Sequence, residues 1–229
     1  MMQFVVALLA AVFGGLGAVL LRSQQTILID REKAAPQTAE GPAVSERLTL
    51  PPWYFTVGVI AVLVALALFV PWFYTVPMLL VVKTAAFCAL LWPCAWIDAK
   101  LHLIPNRLLL IGLVVRLVIL AAEIFTDAAE TGYILISAGI AAGGIAVACL
   151  LCRLAVPHSV GYGDLKLLAL MGLYFGMEYA WNGIFFALLI LFFVSVGLLL
   201  TKRADRRSEL PFAPFLFAGT VIAAFLTGI

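Results

Sequence analysis

Apolar residues run along this chain in long blocks, and short polar stretches separate them. A helix that crosses a membrane needs about 20 mostly apolar residues. Eight blocks reach or approach that length: 2–21, 53–70, 74–97, 107–125, 132–156, 165–180, 182–201 and 211–228. The pattern predicts an all-α, polytopic integral membrane helix bundle, with 1–229 forming a single membrane domain. The block at 165–180 is short, and its Gly172 and Gly176 form a G-x-x-x-G that favours close helix packing. Gly139 and Gly143 repeat the spacing one block earlier and read the same way. The segment 22–52 mixes charged residues with Pro, Gln, Thr and Ser and has too little apolar material for a core. It is expected to be a flexible loop on the cytoplasmic side.

Composition agrees with this class. Of 229 residues, 65% are hydrophobic and 11% charged, with a mean hydropathy of +1.16. A soluble domain carries about 25% charged residues, so a soluble enzyme, a disordered tail and a secreted disulfide scaffold are all excluded. The first block lacks the positive region of a signal peptide, its first charge being Arg22. It therefore reads as an anchor helix. The four cysteines, Cys88, Cys94, Cys149 and Cys152, all lie in apolar stretches. Cys149 and Cys152 make a C-x-x-C inside ACLLCRL, but a zinc ribbon needs paired cysteines in polar loops. They read as small apolar residues, and neither a metal nor a cofactor is expected.

The placement of charge orients the chain. Twelve of the 14 basic residues (Arg22, Arg31, Lys33, Arg47, Lys100, Arg107, Arg153, Lys166, Lys202, Arg203, Arg206 and Arg207) follow odd-numbered blocks. The opposite side holds Glu123, Asp127, Glu130 and Glu178. The positive-inside rule makes the basic side cytoplasmic and puts both termini outside. The other two bases, Lys83 and Arg116, fall inside apolar blocks, where charge is costly and often functional. Lys83 is expected to snorkel to the outer interface, and Arg116 to hold a structural ion or hydrogen-bond partner.

Two aspartates then stand out. Asp98 ends the third block in WIDAKLHLIPN, and Asp164 begins the sixth in GYGDLKLLAL. The topology puts both at the cytoplasmic edge, where two carboxylates could meet. Such a pair cannot ionise twice cheaply. One member can take a proton from a wedged water while the other donates to a carbonyl under attack. The pair titrates as a unit. This chemistry is peptide-bond hydrolysis without metal or covalent intermediate. Gly161 and Gly163 would let a substrate backbone or a second helix approach Asp164, and Lys166 would bias the local charge. A plain capping role for Asp164 fits the spacing equally well. Pro105 and Asn106 would fix the re-entry angle beside Asp98, with Asn106 as a helix cap. His102 and His158 read as solvated interfacial histidines.

WIDAKLHLIPN resembles the first aspartate motif of the type IV prepilin peptidases, and GYGDLKLLALMGLYFG resembles their G-x-G-D motif. LPFAPFLFAG, at 210–219, resembles the Pro-Phe-Gly-Pro-Phe/Tyr stretch that opens their last helix, with Ala213 in place of Gly. The resemblance implies catalytic roles for Asp98 and Asp164 and a peptidase core over 74–228. It also implies an inner-membrane aspartic endopeptidase that removes short basic leaders from prepilins or pseudopilins at the cytoplasmic face. The partners would be that precursor and the lipid bilayer, with no nucleic acid. Many bacterial members carry a four-cysteine zinc insert after the first helix and N-methylate the new N-terminus. The 22–52 segment has no cysteine, so that zinc site is missing, and methyl transfer stays open. Presenilin-type proteases share G-x-G-D but pair it with Tyr-Asp and Pro-Ala-Leu motifs; here Ile97 precedes Asp98 and 211–214 read PFAP. The non-enzymatic alternative is a transporter or scaffold whose aspartates relay protons or pair with Arg116. Proton-relay acids usually lie deeper in a membrane helix or line a cavity.

Overall fold

The computed structural model describes residues 2–34, 50–73, 77–126, 130–155, 161–201 and 210–228. They form α1 (Met2–Ala34), α2 (Trp53–Phe73), α3 (Met78–Leu101), α4 (Asn106–Thr126), α5 (Thr131–Ala155), α6 (Tyr162–Leu200) and α7 (Ala213–Thr227). Lipid offers no partner for backbone polar groups, so a spanning chain must close its hydrogen bonds within helices. Five of the helices, α1, α3, α4, α5 and α6, are long and apolar enough to cross a membrane. The protein is a polytopic helical membrane protein.

The central element is α3. It packs against α1, α2, α4, α6 and α7, and its apolar span is 83% buried, against a third or less for the other four. Trp92, Phe87, Leu91 and Ile97 fill its surroundings. Outward-facing apolar side chains such as Leu110, Val118, Phe185, Phe192 and Phe193 stay exposed on the peripheral helices, as a lipid-facing belt requires.

The two apolar blocks expected at 165–180 and 182–201 lie in the single element α6, and the break falls earlier than the gap between them. Gly176 adopts φ 66°, ψ −167°, a conformation essentially restricted to glycine. The segments on either side, 162–175 (α6a) and 177–200 (α6b), fold back on one another. A straight helix would put Asp164 and Leu188 about 36 Å apart, yet both line one cavity, and Gly183 packs against the Met171 side chain. Gly172 sits tightly on α5, where a Cβ would stand 2.7 Å from the Ala142 nitrogen. At Gly139 and Gly143 a Cβ would meet nothing within 4 Å. The second G-x-x-x-G is therefore not a packing seam among the described residues.

Three further expectations change. The first helix continues to Ala34, so the start of the segment read as a flexible loop is helical. Its Leu21 and Gln24 are buried and Leu28 packs on the core; positions 35–49 lie outside the described residues. Lys83 does not snorkel outwards: its Nζ pairs with Glu123 Oε1 at 2.7 Å. Glu123, assigned from its sequence position to the outer side, is only 2% exposed and also pairs with Arg116 at 2.7 Å. Buried charges persist only when paired, and this carboxylate serves both intramembrane cations. Arg116 thus has the structural ion partner expected of it.

Candidate active site

Asp98 lies in the last turn of α3, which ends where His102 takes up a left-handed conformation (φ 51°) and donates its N–H to the Asp98 carbonyl at 2.9 Å. The Asp98 side chain is buried, 5% exposed. Its Oδ2 accepts the Ala213 N–H at 2.9 Å, and the Phe212 backbone also hydrogen-bonds it. These groups open α7, whose N-cap residue, Phe212, has no side-chain cap of its own. Helix N-termini carry free N–H groups and a partial positive charge. Asp98 therefore caps α7 from another helix. His102 is exposed, as expected of a solvated histidine. His158 lies outside the described residues.

Asp164 occupies the first turn of α6, three residues after the N-cap Gly161. The Gly161 backbone hydrogen-bonds its carboxylate. Gly161, not Asp164, is therefore the N-cap, and Asp164 stands in the turn after it. Asp164 also lines a cavity of about 400 Å³ with Ile145, Cys149, Leu168, Trp181, Ile184, Leu188, Leu210 and Phe212 among its walls. It brings a carboxylate to an otherwise largely apolar wall.

The two aspartates, far apart in sequence, lie within range of each other's charge. Two local contacts hold their helix ends together. A Cβ on Gly163 would stand 3.1 Å from the Cβ of Ile104, so glycine allows the turn after α3 to lie against the start of α6. Lys166 Nζ donates to Asn106 Oδ1 at 2.9 Å, tying α6 to the start of α4. Asn106 is thus the first residue of α4 and a partner for Lys166; the carbonyl that receives the first helical N–H groups belongs to the buried Pro105. At Gly161 a Cβ would come within 2.9 Å of Asp164 Oδ2. All seven residues singled out in the sequence gather at one end of the bundle.

Sequence reasoning missed Phe212 and Ala213. Their backbone holds Asp98, while Phe212 also lines the cavity beside Asp164. The signal was present in LPFAPFLFAG, whose proline at the second helical position marks an N-terminus. Nothing in the sequence assigned that N-terminus to Asp98. Chemically, the arrangement offers one carboxylate fixed by backbone donors and a second facing an apolar cleft large enough for peptide side chains.

Comparison with known proteins places the chain in a family. The family model described as the type IV leader peptidase family matches residues 85–201, which contain both aspartates. The "Prepilin leader peptidase/N-methyltransferase" of Bacillus subtilis (strain 168) is 35% identical over 138 residues, or 60% of this chain and 52% of that protein. The chain spans about half the length of this curated relative. No solved structure matches this chain. The match covers half of the chain, from the heart of α3 to the end of α6, and spans the elements that bring Asp98 and Asp164 together. On that ground the chain belongs to the type IV leader peptidase family.

Proposed function

We propose that the protein is a membrane aspartic endopeptidase that cleaves the short basic leader from a type IV prepilin or pseudopilin, with Asp98 and Asp164 as the catalytic pair. The observation that carries this reading is that the start of α7 holds Asp98 through its backbone while Phe212 walls the largely apolar cleft of Asp164, which gathers two carboxylates from separate helices at one end of the bundle. A water held between them would lose a proton to one carboxylate as it attacks the scissile carbonyl. The other, protonated, would donate to the carbonyl oxygen. The tetrahedral species then collapses as a proton passes to the departing amine. The two groups share their protons, so the roles belong to the pair.

The substrate geometry follows from the cleft. An apolar helix of the precursor would lie in the bilayer against the walls around Leu168, Ile184 and Leu188. The peptide bond just before that helix would then reach Asp164. Orientation has independent support, since Arg22, Lys100, Arg107, Arg153 and Lys166 all follow odd-numbered spans, on the side of the carboxylates. By the positive-inside rule that end is cytoplasmic and both chain termini lie outside, in a bacterial inner membrane.

Co-expression with a prepilin in a strain lacking its own peptidase tests the reading. The wild-type chain should shorten the precursor on a gel. Asp98→Asn and Asp164→Asn should each leave it uncut at normal membrane levels. Processing at the wild-type rate by either variant would remove the dyad.

A further inference from the structure

Hydrogen bonding at the Gly176 break leads to the end of the bundle remote from the carboxylates. In an unbroken helix the Met177 N–H would donate to the Leu173 carbonyl. Here it donates to Ser137 Oγ at 2.9 Å, and the Leu173 carbonyl accepts from Arg116 Nε at 2.7 Å. Side chains from α5 and α4 thus engage both backbone groups at the break. Arg116 Nη1 also donates to Glu123 Oε2 at 2.7 Å, and Glu123 Oε1 pairs with Lys83 Nζ at 2.7 Å.

These contacts connect the two helices that carry the aspartates. Lys83 belongs to α3, about 22 Å along the helix from Asp98, and Leu173 belongs to α6a, about 13 Å from Asp164. Arg116 meets α6a at its C-terminal end, where the helix dipole and unpaired carbonyls favour a cation. The planar guanidinium reaches a carbonyl and a carboxylate at once, in a fork that a lysine cannot reproduce. Aromatic packing of Phe87 on Tyr174 and Phe175 draws α3 and α6a together at the same level. Such packing is far less directional than hydrogen bonds. At this level, among the described residues, two residues tie α6a to α4: Tyr174 Oη donates to the Gly112 carbonyl at 2.8 Å, and Arg116 alone reaches the backbone of α6a.

We propose that Arg116 is a positioning residue for the reaction: it holds the C-terminal end of α6a, and so the angle at Gly176, where Asp164 comes into range of Asp98. The catalytic consequence rests on the dyad reading above. Leverage makes it large. Asp164 lies about 18 Å from Gly176, so a tilt of about 10° carries it about 3 Å, and a misplacement of about 1 Å costs on the order of a hundredfold in rate.

The test uses the full chain in nanodiscs. Spin labels at Lys100→Cys and Tyr162→Cys, in a Cys149→Ser, Cys152→Ser background, report the distance between the helix ends without any need for cleavage. Arg116→Met should shift or broaden that distance by about 2 Å or more. With a prepilin substrate it should lower kcat at least about tenfold while KM stays within about twofold, and Arg116→Lys should not restore kcat. Ser137→Ala, which leaves every charge in place, should change the distance in the same direction by less. If Arg116→Met fails to accumulate, Arg116→Lys carries the distance test: it keeps the charge but not the fork, and should shift or broaden the distance in the same direction. Distances in both Arg116 variants that superimpose on wild type, or full kcat in Arg116→Lys, would overturn the proposal. If the distances move while Asp98→Asn still cleaves, the dyad reading falls and the positioning by Arg116 stands.

Discussion

The two G-x-x-x-G motifs have identical spacing but opposite surroundings, and alanine substitution should separate them. At Gly172 a Cβ would stand 2.7 Å from the Ala142 nitrogen and 2.9 Å from the Ala141 carbonyl carbon. Ordinary carbon contacts lie at about 3.5–4.0 Å, so α5 and α6a would have to part by about 1 Å. The obstacle is backbone, and no rotamer change can relieve it. Overpacking of this kind costs about 1–3 kcal/mol, offset by up to about 1 kcal/mol from the better helix propensity of alanine. At Gly139 and Gly143 the Cβ meets nothing within 4 Å, which leaves only the propensity gain. Thermal unfolding of purified protein in one detergent, followed by tryptophan fluorescence, compares the three variants. Gly172→Ala should fall below wild type by about 1–2 kcal/mol, and Gly139→Ala and Gly143→Ala should match or exceed it. A loss at Gly143→Ala equal to that at Gly172→Ala would refute the packing argument, because it would place an unseen neighbour against the open face of α5.

Two further outcomes follow from the charged residues. Glu123→Ala would leave Lys83 and Arg116 buried side by side without their shared carboxylate. Loss of one partner from a buried ion pair costs about 3–5 kcal/mol, so the variant should unfold well below wild type in the same thermal assay. Lys166 and Asn106 form an exposed bond between the starts of α6 and α4. A double-mutant cycle on their alanine variants should give a coupling of only about 0.2–1 kcal/mol, measured as stability and weakened by salt.

Most of the fold was legible because lipid makes apolar length decisive. The long helices fall where blocks of adequate length lie, within a few residues at most ends. What the blocks could not reveal was the course of the chain between polar residues. Residues 22–34 looked too polar for a core, yet helix α1 runs through them because Leu21, Gln24 and Leu28 bury one face while Arg22, Ser23 and Thr26 stay exposed. Lys83 and Glu123 misled for the same reason. A hydropathy pattern records each charge separately, whereas burial depends on a partner in another helix, and that pairing is tertiary. The turn at Gly176 falls a few residues before the gap between the two blocks, because its partners, Ser137 and Arg116, lie far away in sequence.

The candidate site shows the same division. Asp98 and Asp164 were visible because charge is scarce in this chain, and alternating spans put both at one membrane edge. Gly163 was legible as a place of close approach, but the element that approaches is the turn at Ile104, a detail only the packed helices contain. The largest omission was the N-terminus of α7. A helix that begins without its own side-chain cap needs an acceptor from elsewhere, and Asp98 supplies it at 2.9 Å. The 210–219 stretch therefore does more than open the last helix. Its backbone fixes one carboxylate while Phe212 walls the cavity of the other. One short segment thus joins the two aspartates, and a substitution there should disturb both at once.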